Sequence, residues 1–405
     1  MVFLEKIFVD KSYIYKKSSY KKLALFGASE IARKTRVAFS DLKFDLMFDN
    51  SANLWGEIED NIEIKKPLEL KKFKKKYFII ISTTSYNEVA KQLINMGLNA
   101  GEDFVVSPLL NNYQYISLLE NLKKKIIFSS GSPPNKDKNY GGGIYQLEIN
   151  ANKFKVEKKI SGNSYGIIRF NKNFIAIDNE HGIIEFDEDF KIIRNGKLPK
   201  NTRPHGVSYY KKTKCFYIAC SNLDAVIVLD KNFKYKEKIW ISTKYRRANY
   251  PVHHVNDCYV HNDSIYVSMF SETGNHVNDI YDGAVVEYDI FSKQKLGTPI
   301  KGLWMPHNIC MRNEDFYLLD SLKGNLLGNN ASILGTFPSF TRGLDLKDNL
   351  FFIGQSKNRN FLKTLEIKNN NAIDCGIIVF DHKVKSSRFF QFDNRISEIH
   401  SVIVK

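Results

Sequence analysis

Hydrophobic residues follow two different periods along this chain of 405 residues. Up to residue 110, short apolar runs alternate with stretches in which apolar residues recur every three to four positions, and this pattern predicts strands alternating with helices. From Ile126 onward, short runs rich in Ile, Val, Phe and Tyr alternate with turns containing Asn, Asp, Gly and Lys, which predicts an all-β region. We therefore expect an α/β domain over 1–110, a linker helix over 111–125 and an all-β domain over 126–405.

The first region predicts a Rossmann-like domain. The apolar runs 21–28, 44–48, 77–81 and 104–106 are expected strands, and the helical stretches Ser29 to Phe39 and Ser85 to Met96 separate them. Strands that alternate with helices imply a parallel sheet with right-handed crossovers.

A candidate nucleotide site follows the first strand. Gly27 supplies only the first glycine of the G-x-G-x-x-G fingerprint, because Ser29 and Ala32 occupy the other two places. Asp49 lies 22 positions after Gly27, close to the offset of a ribose ligand. Gly27, Ser29 and Asp49 are thus candidate ligands of a nucleotide or nucleotide sugar. The alternative is a domain that has lost its nucleotide site, since Glu30 at the helix start would repel a pyrophosphate.

A resemblance supports a nucleotide ligand. The segments concerned are Leu23 to Ala28, Phe48-Asp49-Asn50, Gly56, Pro67 and Ile79 to Ser82. They resemble the small Rossmann-like domain of bacterial surface-glycan and nucleotide-sugar enzymes, a domain that also occurs fused to methyltransferases. The resemblance covers residues 20–110 and implies a nucleotide or sugar-nucleotide ligand.

One short motif recurs through the all-β region. Each copy is an extended segment with a large polar side chain at one fixed place, and the copies lie 35 to 58 residues apart. The side chains at this place are Tyr165, His205, His254, His307, Arg342 and His400. This spacing is close to the length of a four-stranded propeller blade with loop insertions.

The two ends of the region complete each other. Ile126 to Ser130 and Gly143 to Glu148 supply a second and a third strand without an opening strand, and Ile399 to Val404 supplies an opening strand with nothing after it. The all-β region therefore predicts a six-bladed β-propeller closed by both ends of its segment, which leaves no free sheet edge.

The first strand of each propeller blade runs along the central channel, so the six polar side chains are expected to form a ring. Convergent imidazoles suit a divalent metal, and His205, His254, His307 and His400 are candidate ligands of zinc, iron or manganese. Together with Tyr165 and Arg342 these histidines are candidate catalytic residues for acid–base chemistry and anion stabilisation. The alternative is that the six side chains hydrogen-bond one another and water, and so plug the channel.

Other polar residues are assigned by their distance from this ring. Asn256 is expected on the same strand face as His254, because side chains alternate along a strand. Asp257 and Asp345 are expected at the channel end. The basic stretch 244–247 is a candidate anion clamp at the channel mouth, with a solvated loop as the alternative.

The second region also resembles a known family. The segments are Pro204-His205-Gly206, His254 to Asp257, Met305-Pro306-His307, Thr341 to Leu344 and Gly354 to Arg359. They resemble an uncharacterised bacterial β-propeller family, a domain of unknown function, over about residues 125–405. In arrangement alone, the His-lined blades are similar to propeller lyases such as the streptogramin lyases and the amidating lyases.

Composition narrows the classes of partner. The net charge of +16 favours anionic ligands, with an AT-rich coding sequence as the alternative cause. We expect no nucleic-acid partner, because the lysines are spread thinly and form no stripe with interleaved aromatics. No apolar run approaches the roughly 20 residues of a membrane span. Five cysteines without a C-x-x-C pair, and no signal-peptide pattern, predict reduced thiols in a cytoplasmic protein.

Together these features predict an enzyme of surface-polysaccharide or glycoconjugate metabolism. It would be a metal-assisted lyase or hydrolase that acts on a small anionic or sugar-derived ligand. The alternative hypothesis is a non-catalytic propeller that binds or scaffolds within a glycan-biosynthesis system. A homo-oligomer and partner enzymes of glycan biosynthesis are both left open.

Overall fold

The computed structural model describes residues 4–73, 76–134, 140–244, 248, 250–312, 314–359 and 371–405. The chain divides into two compact units, Met1–Asn121 and Leu122–Lys405. No helix in the described part is long and apolar enough to cross a bilayer. All five cysteines are buried free thiols.

The first unit is a six-stranded mixed sheet with helices. Its helices are α1 (Leu4–Ile7), α2 (Lys11–Ser18), α3 (Glu30–Ala38), α4 (Tyr86–Asn95) and α5 (Tyr113–Glu120), with 3-10 turns at Ala52–Leu54, Pro67–Lys72 and Pro108–Leu110. Its strands are β1 (Lys22–Phe26), β2 (Phe44–Phe48), β3 (Ile58–Glu59), β4 (Ile62–Lys65), β5 (Tyr77–Ile81) and β6 (Phe104–Val106). The order is β3-β4-β2-β1-β5-β6.

Five of these strands are parallel, as the alternating pattern predicts. The exception is β3, which pairs antiparallel with β4 and makes the sheet mixed. Strands β1 and β5 lie in the middle and bury residues on both faces, which explains their continuous apolar runs. The β3–β4 hairpin escaped prediction because it is short and rich in charged residues.

The second unit is a six-bladed β-propeller, as predicted: its described residues form six sheets of four strands. In chain order the strands of the first two sheets are β7 (Lys123–Pro134), β8 (Gly141–Asn150), β9 (Lys153–Ser161), β10 (Ser164–Phe170), β11 (Asn173–Asp178), β12 (Gly182–Phe186) and β13 (Ile192–Gly196). Those of the next two sheets are β14 (Pro204–Tyr210), β15 (Cys215–Cys220), β16 (Ala225–Asp230), β17 (Tyr235–Trp240), β18 (Val255–His261), β19 (Ser264–Met269), β20 (Gly283–Asp289) and β21 (Lys295–Leu303).

The remaining strands complete the propeller. They are β22 (Pro306–Arg312), β23 (Asp315–Asp320), β24 (Asn325–Leu327), β25 (Ile333–Thr336), β26 (Phe340–Lys347), β27 (Leu350–Ser356), β28 (Gly376–Asp381), β29 (Ser386–Gln391) and β30 (Ser401–Val404), with 3-10 turns at His276–Asn278 and Asn329–Ala331. Strand β30 pairs with β7 to give the order β30-β7-β8-β9, so both ends of the segment build one blade, as predicted.

The two ends of the propeller differ in their connections. Successive antiparallel strands alternate in direction, so loops that enter an inner strand, or join the second strand to the third, share one end. The three longest connections, from β17 to β18, from β19 to β20 and from β27 to β28, leave and re-enter the sheets at this end. At the opposite end the strands are joined by turns of two to five residues. Insertions on one face of a repeat protein often mark the binding face.

Side-chain hydrogen bonds join neighbouring inner strands around the axis, and we call this set of bonds the girdle. The girdle bonds run from Val260 N to Ser208 Oγ (3.0 Å), Ile309 N to Asp257 Oδ2 (2.9 Å), Gly343 N to Asn308 Oδ1 (2.6 Å), Val404 N to Asp345 Oδ2 (2.9 Å) and Ser401 Oγ to Ile167 O (3.3 Å). Each bond links neighbouring blades. Asp257 and Asp345, which the sequence predicts at the channel end, are buried parts of the girdle and also line a cavity on the axis.

Removing the closing strand tests the closure. A stop after Ser397 deletes β30 and leaves the edge of β7 unpaired, so we expect the propeller to lose its cooperative unfolding transition. Hydrogen exchange measures the effect: amides of β7 and β10 should lose protection, whereas those of β1 and β5 in the first unit should keep it. An unchanged thermal transition would contradict closure by β30.

A glycine pair tests the girdle. A Cβ on Gly206 would lie 1.7 Å from Asp257 Oδ1, whereas a Cβ on Gly297 meets nothing within 4 Å. We expect Gly206→Ala to lower the free energy of unfolding by about 1–3 kcal/mol or more, the usual range for overpacking. The control Gly297→Ala should change it by less than about 1 kcal/mol. Equal stabilities of the two variants in urea titrations would contradict this close approach.

Candidate functional site

The six predicted side chains converge at the axis, and we call them the axial ring: Tyr165, His205, His254, His307, Arg342 and His400. Each lies at or just before the start of an inner strand, because the strands enter the axis in the same direction. The ring centroid of Tyr165 is 4.7 Å from that of His205 and 4.4 Å from that of His400. The centroid of His205 is 5.9 Å from that of His254. The repeat alignment therefore located a real cluster.

Arg342 belongs to a buried ionic cluster. Its side chain is only 3% exposed, and Nη2 lies 3.4 Å from Glu398 Oε2. The same oxygen lies 3.0 Å from His400 Nε2, and Arg359 Nη1 lies 2.8 Å from Glu398 Oε1. Arg342 Nη1 lies 3.3 Å from His400 Nε2. One carboxylate therefore holds two guanidinium groups and one imidazole in place.

His307 presents a defined nitrogen. Its Nδ1 lies 2.8 Å from the Met305 carbonyl oxygen and 2.8 Å from Ser321 Oγ. A carbonyl oxygen can only accept, so Nδ1 carries the proton and Nε2 keeps its lone pair. Nε2 of His307 is therefore the nitrogen that can accept a proton.

Three buried polar atoms at the ring have no hydrogen-bond partner among the described residues. They are His205 Nε2, Arg342 Nε and Thr341 Oγ1. Buried polar groups are nearly always paired in folded proteins, so each orphan calls for an explanation such as a water or a ligand. All three lie at the same end of the inner strands, which makes this end a candidate binding place for a water molecule or a polar ligand.

The ring imidazoles are neutral at physiological pH. Burial lowers the pKa of His205, His254 and His307 well below the ordinary value of 6.5, and neighbouring histidines or arginines act in the same direction. Burial, with the charge of Arg342, lowers the pKa of His400 to about 4 even though Glu398 opposes the shift. Burial alone would raise the pKa of Glu398, but the charge of Arg342 and the hydrogen bond with His400 outweigh it and lower this pKa, so the residue stays a carboxylate.

An axial cavity of about 360 Å³ extends from the ring towards the opposite end of the propeller. Tyr165, His205, His307 and His400 line its inner end. Apolar residues that follow them on the inner strands form the middle of its wall. A site with several convergent polar groups at the end of a cavity is a typical ligand site.

The metal prediction is not tested by the geometry. Among the described residues, no group of three or more His, Cys, Asp and Glu side chains is arranged to hold a metal ion. The assignment of His205, His254, His307 and His400 to zinc, iron or manganese therefore stays a prediction. Of the predicted anion clamp, residues 245–247 lie outside the described part, and Lys244 Nζ donates to the Thr273 carbonyl oxygen.

Several residues near the ring were missed by the sequence pattern. Phe270 stacks on His254 at 4.3 Å and lies 5.4 Å from His307 between ring centroids. His276, assigned to a loop, lies 4.7 Å from His254. Both come from the connection 270–282, whose fold no periodicity reveals. Glu398 has one weak signal, its position two residues before His400.

Asn256 and His253 have structural roles. Asn256 Nδ2 donates to the Pro306 carbonyl oxygen at 3.1 Å. His253 Nδ1 contacts the Ser271 carbonyl oxygen at 2.8 Å and its Nε2 contacts Ser242 Oγ at 2.6 Å. Both nitrogens of His253 are thus occupied, in keeping with its assignment to the other strand face.

The predicted nucleotide residues of the first unit hydrogen-bond to neighbouring loop residues. Asp49 Oδ2 accepts from Ala28 N at 2.7 Å, and Asp49 Oδ1 accepts from Ser51 N at 2.8 Å. Ser29 Oγ donates to the Ser82 carbonyl oxygen and caps α3 through Ile31 N. Gly27 has φ of +107°, so it turns the chain where a Cβ would be strained. Gly27, Ser29 and Asp49 thus meet at one strand edge, and the nucleotide stays a prediction.

Acid should destabilise the propeller through the ring. The unfolded chain protonates a histidine near pH 6.5, whereas folded His400 does so only at about 4. The unfolded state thus binds more protons between these values, and the unfolding free energy falls as pH falls, by about 2 kcal/mol for this group between pH 7.5 and 5. Urea unfolding at pH 7.5 and 5 measures the loss. We expect His205→Phe to shrink it, and an equal loss in variant and wild type would contradict a buried neutral His205.

The solved structures that are similar to this chain are distant from it in sequence. A search of curated proteins found no match. A chain of the nidogen/laminin complex is similar at 9% identity over 70% of this chain and 98% of its own, with a TM-score of 0.48. A protein of unknown function from Bacteroides caccae is similar at 11% identity over 69% and 98%, with a TM-score of 0.47. Likenesses at this level carry no functional argument.

Two family models match the chain. The model described as C2185-like, N-terminal, matches residues 19–102. The model described as a domain of unknown function (DUF4915) matches residues 149–404, which is more than half of the chain. This confirms the resemblance to an uncharacterised propeller family, and the chain belongs to the DUF4915 family.

Proposed function

We propose that the propeller is an enzyme, a lyase or hydrolase, that acts on a small anionic, sugar-derived molecule at the axial ring. The observation that carries the proposal is a fully buried guanidinium, Arg342, beside neutral imidazoles with open nitrogens. Active sites characteristically combine buried groups of perturbed pKa with specific partners in a cavity.

Anion binding follows from the charge balance at the ring. Arg342 and Arg359 carry two positive charges, and Glu398 supplies one negative charge to both. The imidazoles add no charge, since their pKa values are lowered. Glu398 already compensates the buried charge of Arg342, and the side chain of Arg359 is 63% exposed, so a carboxylate or phosphate placed here would be held by charge-assisted hydrogen bonds to the guanidinium groups. Arg342 Nε, which has no partner among the described residues, is a donor for such a group.

Acid–base chemistry follows from the imidazoles. His307 Nε2 keeps its lone pair because Nδ1 faces a carbonyl oxygen. In an elimination, this nitrogen would take the proton from the carbon beside the carboxylate while the leaving oxygen departs. Arg342 would stabilise the charge that develops on the carboxylate, and Tyr165 would protonate the leaving group. In a hydrolysis the same base would activate water.

Different observations support the proposal that the ligand is derived from a sugar. Phe270 and Phe340 flank His307, each with a centroid separation of 5.4 Å, so flat apolar faces adjoin the polar groups. The resemblance of the first unit to nucleotide-sugar enzymes points the same way. The metal, the glycan-biosynthesis setting and the cytoplasmic location stay predictions, and the steps above depend on none of them.

Replacing Arg342 tests the proposal. We expect wild type to bind glucuronate or galacturonate by calorimetry, and Arg342→Gln to weaken binding at least tenfold because it removes the charge-assisted bonds. The control Arg194→Gln, a change on β13 away from the ring, should bind as wild type. Absence of binding by both sugar acids, or equal affinity of Arg342→Gln, would contradict the proposal.

A second variant separates catalysis from scaffolding. His307→Gln should retain the bound sugar acid, because Arg342 is intact, and should lose turnover of a glycoside of that acid followed by new ultraviolet absorbance or released alcohol. Binding without turnover in wild type would favour the non-catalytic propeller instead.

A further inference from the structure

The end of the axial cavity opposite the ring carries cations that the proposed chemistry does not use. Arg169, Lys211 and Arg312 line the same cavity as the ring and are exposed. We call these three residues the basic mouth. Arg169 comes four residues after Tyr165, Lys211 six after His205 and Arg312 five after His307. At about 3.3 Å per residue, the mouth lies about 13–20 Å from the ring.

Acidic groups of the cavity lining pair with one of the three mouth cations, Arg312, and leave the other two. Asp257 and Asp345 are the acidic residues among the described lining of the cavity. Asp345 accepts from Leu346 N, Val404 N and Arg312 Nη2. Asp257 is buried, accepts from Cys258 N and Ile309 N, and burial raises its pKa to about 7. Arg169 and Lys211 therefore face the cavity without a carboxylate of its lining.

An apolar wall separates the mouth from the ring. The side chains that form it share one place, two residues after a ring residue on an inner strand. They are Ile167, Val207, Ile309, Leu344 and Val402. Walls of low dielectric concentrate the field of nearby charges along a channel and raise the local concentration of a ligand of opposite sign.

We infer that the basic mouth is an anion-binding site and that small carboxylates or phosphates enter the propeller through it, on the way to the ring. The binding of anions at the mouth stands on its own, and only the direction of travel rests on the proposed function. Arg169 also donates to the Val404 carbonyl oxygen, which fixes its guanidinium across two blades. Lys211 supplies a charge without a carboxylate of the cavity lining, and Arg312 shares its charge with Asp345 Oδ1 at 3.0 Å.

Inorganic phosphate at low ionic strength is the probe, and the width of its phosphorus resonance reports binding. The test variant is Lys211→Gln with Arg312→Gln. The matched control is Lys231→Gln with Lys383→Gln, which removes the same charge from outer turns at the same end of the propeller. We expect the test variant to bind phosphate at least fivefold more weakly and the control less than twofold more weakly.

Two further variants keep the outcome decisive. Lys211→Arg with Arg312→Lys conserves charge and should bind as wild type, so a loss there would show that charge is not the cause and would overturn the inference. The Arg342→Gln background removes the ring site, and the mouth should keep its phosphate there. In the Arg342→Gln background, equal phosphate binding with and without the Lys211→Gln and Arg312→Gln changes would overturn the proposed anion site at the mouth. This outcome does not depend on how Arg342→Gln affects the binding of sugar acids.

Discussion

Six inner strands converge on one axis, and they cannot pair with one another as strands within a blade do. Instead, hydrogen bonds from side chains connect neighbouring inner strands. Asp257 and Asp345 accept backbone N–H groups of the next inner strand, and Gly206 leaves room for the first of these carboxylates. Because the strands all enter in the same direction, one position on each meets the axis at the same height. The axial ring is a consequence of that shared geometry.

The axial ring places charged and titratable side chains close together in a small buried space. Arg342 cannot lose its proton, so the protein places Glu398 beside it, and Glu398 also holds His400 and Arg359. With that cation in place, the imidazoles are stable only as neutral groups, and the pKa values of His205, His307 and His400 are lowered. Neutral imidazoles can accept a proton at pH 7, and a guanidinium with an unpaired Nε can bind an anion. The features that make the ring costly are those on which the proposed activity depends.

Sequence reasoning reached the propeller because repeats multiply a weak signal. His205 alone is a Pro-His-Gly turn, but the copies through His400 share its place, so blade number, closure and ring followed. The same logic fails where a feature occurs once. Glu398, Phe270 and His276 reach the ring from connections of irregular structure. The role of Asp257 in the girdle could not be predicted from the sequence either. Its bond to Ile309 N joins strands of different blades, and such a bond does not change the alternation of apolar and polar residues along either strand.

The basic mouth of the cavity and Arg342 of the axial ring are both cationic but differ in their hydration. Arg169 and Lys211 are hydrated and exposed, so an anion that binds them loses little of its own water. At the ring, Arg342 is dehydrated, and the same anion must shed its water to bind there. In the proposed path, the anion first binds to hydrated cations. It loses its own water only at the ring, where donors without a partner among the described residues can replace that water. In the path that we propose, the basic mouth and the buried arginine are two successive binding stages for one anion.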